Sequence, residues 1–287
     1  MNKITNQNVS IKNAPEISAI YFALLQCGYD SFGNDAKLTK IIKSFSSPSD
    51  NFSFFKGVKQ NSCEIYPYWP RASMLETASF YMNPNHTEFE NFDAFKHTVM
   101  SASNIVDSER DDLFWEWIKD FPHALNEVII SDSFCDYIKW ENKWINRQNS
   151  IKNNELQVVE KYLDICEKKY NSPLHNISII LSPIKCAYSA DYHTIKNQFT
   201  YCSGTFDSKS VIHEFLHHLA HPIVESNKIA IMCSKVKYTD IDNSYYLNGN
   251  EIGQLNAFEE YFVRILTDAI LTKNPPDNLD VLIKELL

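Results

Sequence analysis

Apolar residues recur at helical spacing through most of residues 1–171. The segment PEISAIYFALLQCGYD has an apolar run of about ten residues between Glu16 and Asp30, which predicts a buried helix too short to span a bilayer. The same spacing predicts further helices in KLTKIIKSF, Met74 to Tyr81, a segment starting near Thr87, Asp111 to Phe121, Phe134 to Ile145 and Asn154 to Tyr170. We therefore expect a mainly helical N-terminal part.

The pattern changes after residue 171. His175 to Pro183 alternates and is rich in β-branched residues, and Asn197 to Gly204 is a shorter segment of the same kind, so both are predicted as strands. Two helical patterns follow, SVIHEFLHHLAH and Gln254 to Leu271. The expected fold class is α+β and mainly helical, with residues 1–171 as a helical part packed on residues 172–287. No linker-like segment separates the two parts, so the helical part should form one wall of a cleft.

Composition limits the classes of partner and compartment. A net charge of −9 and a pI near 5.5 argue against a nucleic-acid partner, which would need a basic surface, and against binding to anionic membranes. The seven cysteines are scattered, odd in number and without CxxC pairs, which favours reduced thiols in an intracellular protein. The first residues lack the apolar core of a signal peptide, so we expect a cytoplasmic protein.

The stretch HEFLHH, which starts at His213, carries the chemistry of this sequence. His213 and His217 are four residues apart, so on a helix they project from one face about 6 Å apart along the axis. Two neutral imidazoles at that spacing can reach one Zn²⁺. Glu214 is turned roughly 100° from His213, which suits holding a water molecule beside the ion. The HExxH arrangement thus supplies two ligands and a general base from one helical turn.

This motif is specific, and its surroundings support it. With nine histidines in 287 residues, uniform composition gives roughly 0.02 chance matches to HExxH. A predicted strand precedes the motif and an acidic helix follows it, with Asp207 or Ser208 as the N-cap of the motif helix. The competing interpretation is a surface helix that happens to be rich in histidine.

A catalytic zinc needs a third protein ligand from elsewhere in the chain. His221 lies two turns beyond His213, about 12 Å along the axis, which is too far to share the ion. His218 points away from the ligand face, so both extra histidines are interpreted as surface residues or as partners of the ligands. The later acidic helix offers Glu259, which borders its apolar stripe, and Glu260, which lies nearer the other face. The residues alone leave both glutamates open.

The sequence resembles the zincin metallopeptidases of the gluzincin type, whose third zinc ligand is a downstream glutamate. The metzincin pattern fails, because Leu219 to Ile223 stand where a glycine and a further histidine would be required. The chain is also similar to a bacterial subgroup in which the ligand glutamate falls four residues before an arginine, as in Glu260-Tyr-Phe-Val-Arg264. Thermolysin-like enzymes have an aspartate at the place of Arg264, so the residues that orient the ligands should differ here.

This resemblance covers the chain after residue 171, and HEFLHH is its one specific motif. It implies a zincin-like domain with an edge strand beside the metal helix, where an extended peptide can add. It further implies one zinc per chain with Glu260 as the third ligand, and a peptide or protein substrate.

We therefore expect a zinc-dependent metallopeptidase. The zinc would lower the pKa of a water molecule, and Glu214 would take its proton and deliver it to the leaving amine. The oxyanion needs one further donor, which in gluzincins is often a tyrosine or histidine; Tyr246, next to Tyr245, is our candidate. Both lie in a polar segment expected to close over the site. The alternatives are a catalytically inactive binding protein of the same fold and a metal-binding module.

Overall fold

The computed structural model describes residues 9–28, 36–47, 50, 52–58, 71–103, 115–172, 174, 176–185, 190–195, 198–234 and 250–287. It is mainly helical, at 69% helix, with a small four-stranded mixed sheet. The prediction of a mainly helical α+β protein is confirmed at this level. Within the described ranges, no helix is long and apolar enough to cross a membrane.

The sheet has the strand order β1-β2-β4-β3. Its strands are β1 (Ile11–Lys12), β2 (Asn176–Leu181), β3 (Asp191–Ile195) and β4 (Gln198–Ser203). β1, β2 and β4 are parallel neighbours, whereas β3 runs antiparallel to β4 and forms an edge. The sequence predicted β2 and β4, which are confirmed. It missed β1 and β3, because short strands carry little periodicity of their own.

Helices cover most of the N-terminal part. They are α1 (Pro15–Gln26), α2 (Ala36–Lys43), α3 (Arg71–Ser79), α4 (Phe92–Ser103) and α5 (Phe121–Ile129). The helix predicted to start near Thr87 starts later, because the Asn91 side chain accepts a hydrogen bond from the Ala94 amide at 3.0 Å and caps the helix there. The pattern predicted up to Phe121 is also divided, since residues 115–118 are helical and α5 begins anew with Pro122 in its first turn.

One long helix, α6 (Asp132–Tyr170), replaces the two separate helices expected between residues 134 and 170. Residues 146–153 are polar apart from Ile151 and contain no glycine or proline, so nothing in them interrupts the helix. Asn149 in this stretch binds both backbone groups of Ile11, accepting from its amide at 2.9 Å and donating to its carbonyl at 2.7 Å. The polar segment between the two predicted helices is therefore helical, and its Asn149 side chain anchors β1.

Two hydrophobic cores lie on opposite faces of the sheet. The C-terminal helices are α7 (Ser208–Ser226), α8 (Lys228–Ser234), α9 (Asn250–Leu271) and α10 (Leu279–Leu286). Phe199 and Tyr201 of β4 belong to the core formed with α7 and α9, whereas Cys202 and Ile180 belong to the core formed with α1 and α3. Alternate residues of the strands therefore face different halves of the molecule. The division at residue 171 stays a prediction.

Candidate metal centre

The motif helix α7 is set by a local cap and an apolar face. Asp207 is its N-cap, and the carboxylate of Asp207 accepts a hydrogen bond from the Ser210 amide at 2.9 Å, as the sequence allowed. The buried residues of the helix are Val211, Ile212, Phe215, Leu216, Leu219, Ala220 and Val224. Since these residues face the core, His213, Glu214 and His217 lie half-buried along its border. Core packing thus turns the chemical groups towards one edge of the helix.

Glu260 of the neighbouring helix α9 meets both histidines. Its Oε2 atom lies 3.3 Å from Nε2 of His213 and 3.7 Å from Nε2 of His217. One ligand atom from each of these three residues lies within 4.8 Å of the others. Ligand atoms about 2.0–2.1 Å from a tetrahedral zinc ion lie roughly 3.3–3.5 Å apart, so these distances and this set of nitrogen and oxygen donors fit zinc.

Glu259 occupies a different position, although it is adjacent in sequence. Its Oε1 atom lies 2.9 Å from Nδ1 of His217, and its Oε2 atom lies 3.0 Å from Nδ1 of His221. The carboxylate therefore bridges the outer nitrogens of two histidines one turn apart on α7. With Nδ1 of His217 engaged in this way, Nε2 is left to face Glu260, which is how protein ligands of zinc are usually oriented. The two glutamates that the sequence left open reach different nitrogens of one ring.

Arg264 binds the other oxygen of Glu260. Its Nε atom donates to Glu260 Oε1 at 2.7 Å, so Oε2 is the oxygen that faces the imidazoles. The residue at the place of the thermolysin-type aspartate thus orients the glutamate, while Glu259 orients the histidine. The pair of Arg264 with Glu260 is not an exposed surface pair, because only 9% of the Glu260 side chain is exposed and the same glutamate also faces His213 and His217.

The charges of the site depend on these contacts. Burial alone would raise the pKa of Glu260, but hydrogen bonds with His213 and His217 outweigh it and hold that pKa well below its ordinary value. Burial alone would lower the pKa of His217, but its bonds to Glu259 and Glu260 raise it to about 9. His217 and the carboxylates of Glu259 and Glu260 therefore attract each other, and both carboxylates are anionic at neutral pH.

Glu214 differs from the other carboxylates in this region. Burial raises its pKa, and the nearby His217 and His213 oppose that rise only in part. A carboxylate with a raised pKa is a stronger base than an ordinary glutamate at neutral pH. Its position, one residue after His213 and half-buried at the rim of the site, is that of the predicted general base.

The edge strand β3 adds Tyr192, a residue that the sequence did not single out. Its ring stacks on the ring of His217, with centroids 5.6 Å apart and an angle of 8° between the planes. Burial raises the pKa of the Tyr192 phenol, and Glu259 and Glu214 raise it further. Alternation in Asp191–Ile195 was the available signal for this strand, but the segment is only five residues long.

The two extra histidines of α7 are not among the candidate ligands. Nε2 of His218 lies 2.7 Å from the hydroxyl of Ser172, and burial lowers the pKa of His218 to about 4. The side chain of His221 is 63% exposed and contacts the site only through Glu259. Tyr246, Tyr245 and the polar segment expected to close over the site lie outside the described residues.

Comparisons with known proteins add nothing to this geometry. No protein-family model, no curated protein and no solved structure matches the chain.

Proposed function

We propose that this protein is a zinc-dependent metallopeptidase with a zincin-like catalytic domain of the gluzincin type. The observation that carries the proposal is the meeting of His213 Nε2, His217 Nε2 and Glu260 Oε2 beside Glu214. Zinc would be held by these three protein ligands, which is the number that a catalytic site uses while keeping one position open. When bound there, zinc supplies a Lewis acid that polarises the scissile carbonyl group and lowers the pKa of water.

Glu214 moves the proton in this reaction. Its carboxylate accepts a proton from the attacking water and donates it to the leaving amine, so the residue starts and ends each turnover ionised. Burial raises the pKa of Glu214, which strengthens it as a base without requiring that it be protonated at rest. Glu260 cannot take this role while Arg264 and two imidazoles bind its oxygens.

The edge strand supports a peptide as the substrate. Among the described residues, β3 pairs with β4 and with no other strand, so its outer edge offers backbone groups to an extended chain. Tyr192 on this strand stacks on His217, so a peptide lying along β3 would pass close to the candidate ligands. Strand addition of this kind binds backbone rather than particular side chains, which is why the proposal names peptide bonds as the substrate class and no sequence.

The test combines metal content with hydrolysis of a mixed set of fluorescent, internally quenched peptides. Wild-type protein should hold zinc at this site, and His217→Ala should lose both that zinc and hydrolysis. Glu214→Gln should keep the zinc and lose hydrolysis, because the amide cannot accept the proton. Glu225→Gln, a change of the same chemistry at an exposed position of the same helix, should keep both. Retained hydrolysis in Glu214→Gln would refute the role of the base, and wild-type protein without zinc after reconstitution would favour a non-catalytic protein.

A further inference from the structure

A second group of metal-ligating side chains lies on the opposite face of β3 and β4. Glu76 of α3, His193 of β3 and Cys202 of β4 each offer one ligand atom, and these atoms lie within 4.8 Å of one another. The three residues are buried, with 0%, 8% and 0% of their surface exposed. Glu76 lies 117 residues before His193 in the sequence, so no local motif connects it with the two strand residues.

The donors suit a zinc ion better than a hard cation. A thiolate, an imidazole and a carboxylate together are a typical ligand set for Zn²⁺. Nε2 of His193 lies 3.0 Å from Oε2 of Glu76, slightly less than the roughly 3.3–3.5 Å between ligand atoms in a tetrahedral zinc site, so a small outward shift would admit the ion. Within the described part of the chain, the Cys202 thiol has no hydrogen-bond partner.

Lys185 lies in the same cluster but on its other side. Its Nζ atom donates to Glu76 Oε1 at 2.6 Å and to the hydroxyl of Tyr21 at 2.9 Å, and it also pairs with Asp191. The lysine therefore occupies one carboxylate oxygen of Glu76 and leaves Oε2 towards His193. Two carboxylates carry two negative charges against the single positive charge of Lys185. A dication bound with a Cys202 thiolate would add one net positive charge and bring this sum to zero, which matters because an unbalanced buried charge is costly.

We propose that Glu76, His193 and Cys202 form a buried zinc site with three protein ligands. Because the ligands are buried, zinc would bind as the protein folds. The ion would tie α3 of the helical part to both β3 and β4. Tyr192, the neighbour of His193, faces His217 on the other side of the strand, so this site would hold in place the strand that borders the candidate catalytic centre. The proposal does not depend on peptidase activity.

Cobalt can distinguish this site from the HExxH site, because only this one contains a cysteine. Co²⁺ bound to a thiolate gives a charge-transfer band in the near ultraviolet, whereas two histidines and a glutamate cannot. The protein is unfolded in urea and refolded with Co²⁺ in the His213→Ala/His217→Ala background, which removes the other site. We expect one equivalent of bound Co²⁺ and a thiolate band. A folded protein that shows no thiolate band at saturating Co²⁺ would overturn the proposal.

Cysteine variants assign the band. Cys202→Ser should abolish it, whereas Cys166→Ser, at another buried free cysteine, and Cys233→Ser, at an exposed one, should retain it. A band that survives Cys202→Ser would also overturn the proposal, because another thiol would then be the ligand. If Cys202→Ser does not refold, X-ray absorption of the zinc-loaded His213→Ala/His217→Ala protein decides the question. One sulfur ligand supports the site, and nitrogen and oxygen ligands alone refute it.

Discussion

Strand β3 separates two groups of metal-ligating side chains that differ in burial. On one face, the side chains of His213, His217 and Glu260 are 18%, 14% and 9% exposed. On the other face, Glu76 and Cys202 are completely buried. We call the first the open group and the second the closed group, after the exposure of their side chains. Burial, more than residue type, therefore suggests which group could react and which could only stabilise.

The two groups also differ in what balances their charge. Around the open group, Arg264 and Glu259 bind the candidate ligands from outside, and both contact solvent to some extent. In the closed group, Lys185 is only 1% exposed and pairs with Glu76 inside the protein. Removing Arg264 or Glu259 should therefore weaken metal binding at the open group. Removing Lys185 from the closed group should destabilise the whole fold. The experiments below test this contrast.

The largest effect is expected for Glu260→Ala. The substitution removes the third candidate ligand of the open group, so zinc at that site and all peptide hydrolysis should be lost together. Elemental analysis after dialysis, with the peptide assay alongside, measures both. A folded variant that keeps the full zinc content per chain of the wild-type protein would contradict the assignment of Glu260.

Lys185→Met should destabilise the protein strongly. Breaking a buried ion pair leaves the other charge without compensation, which typically costs about 3–5 kcal/mol. Urea denaturation measures the change in the free energy of unfolding. Lys119→Met is the matched control, because the pair of Lys119 with Glu116 is exposed and should contribute less than about 1 kcal/mol. If the two variants lost the same free energy of unfolding, the buried and the exposed ion pair would not differ in their contribution to stability.

Lowering the pH should destabilise the protein less than the Lys185→Met substitution does. Lys185 still has its ion pair with Asp191 when Glu76 is protonated. Burial alone would raise the pKa of Glu76, but Lys185 and His193 outweigh it and lower that pKa from 4.5 to about 2. A group with a lowered folded pKa stabilises the fold above its unfolded pKa, and this stabilisation is lost as the pH falls from 4.5 towards 2. The free energy of unfolding should fall over that interval, and less steeply in Glu76→Gln. Identical slopes would show that Glu76 is not responsible.

Glu259→Gln should lower zinc affinity at the open group without removing the ion. Partners that orient a ligand typically contribute about 10–100-fold to metal affinity. Competition with a chromophoric chelator measures the change, and Glu225→Gln serves as the control on the exposed side of α7. Loss of one zinc per chain in Glu259→Gln, together with the wild-type zinc content in Glu260→Ala, would exchange the roles of the two glutamates.

The smallest effect is expected for Lys209→Ala. Its ion pair with Asp268 joins α7 to α9 at 2.7 Å, but the two side chains are 58% and 64% exposed. Such a pair contributes less than about 1 kcal/mol, so urea denaturation should be nearly unchanged and zinc should stay bound. A loss of several kcal/mol would mean that surface charge, and not the buried apolar residues of the two helices, holds the open group together.

Local patterns in the sequence determined the helix that carries the motif and the strands before it. HEFLHH, the Asp207 cap and the apolar residues of α7 lie within one short segment, and so do the alternating residues of β2 and β4. Helical spacing, capping and alternation are properties of neighbours along the chain, so they can be read without knowing the fold. The same reasoning narrowed the third candidate ligand to Glu259 or Glu260, and a family resemblance favoured Glu260.

Only the tertiary structure decided how distant segments meet. It showed that Glu260 faces the inner nitrogens of two histidines while Glu259 holds an outer one, and that residues 134–170 form one helix against β1. It also brought Glu76, His193 and Cys202 together from α3, β3 and β4. These contacts depend on packing between elements far apart in sequence, and no local periodicity encodes such distances. The sequence by itself therefore determined which groups are available, and tertiary packing decided which of them meet.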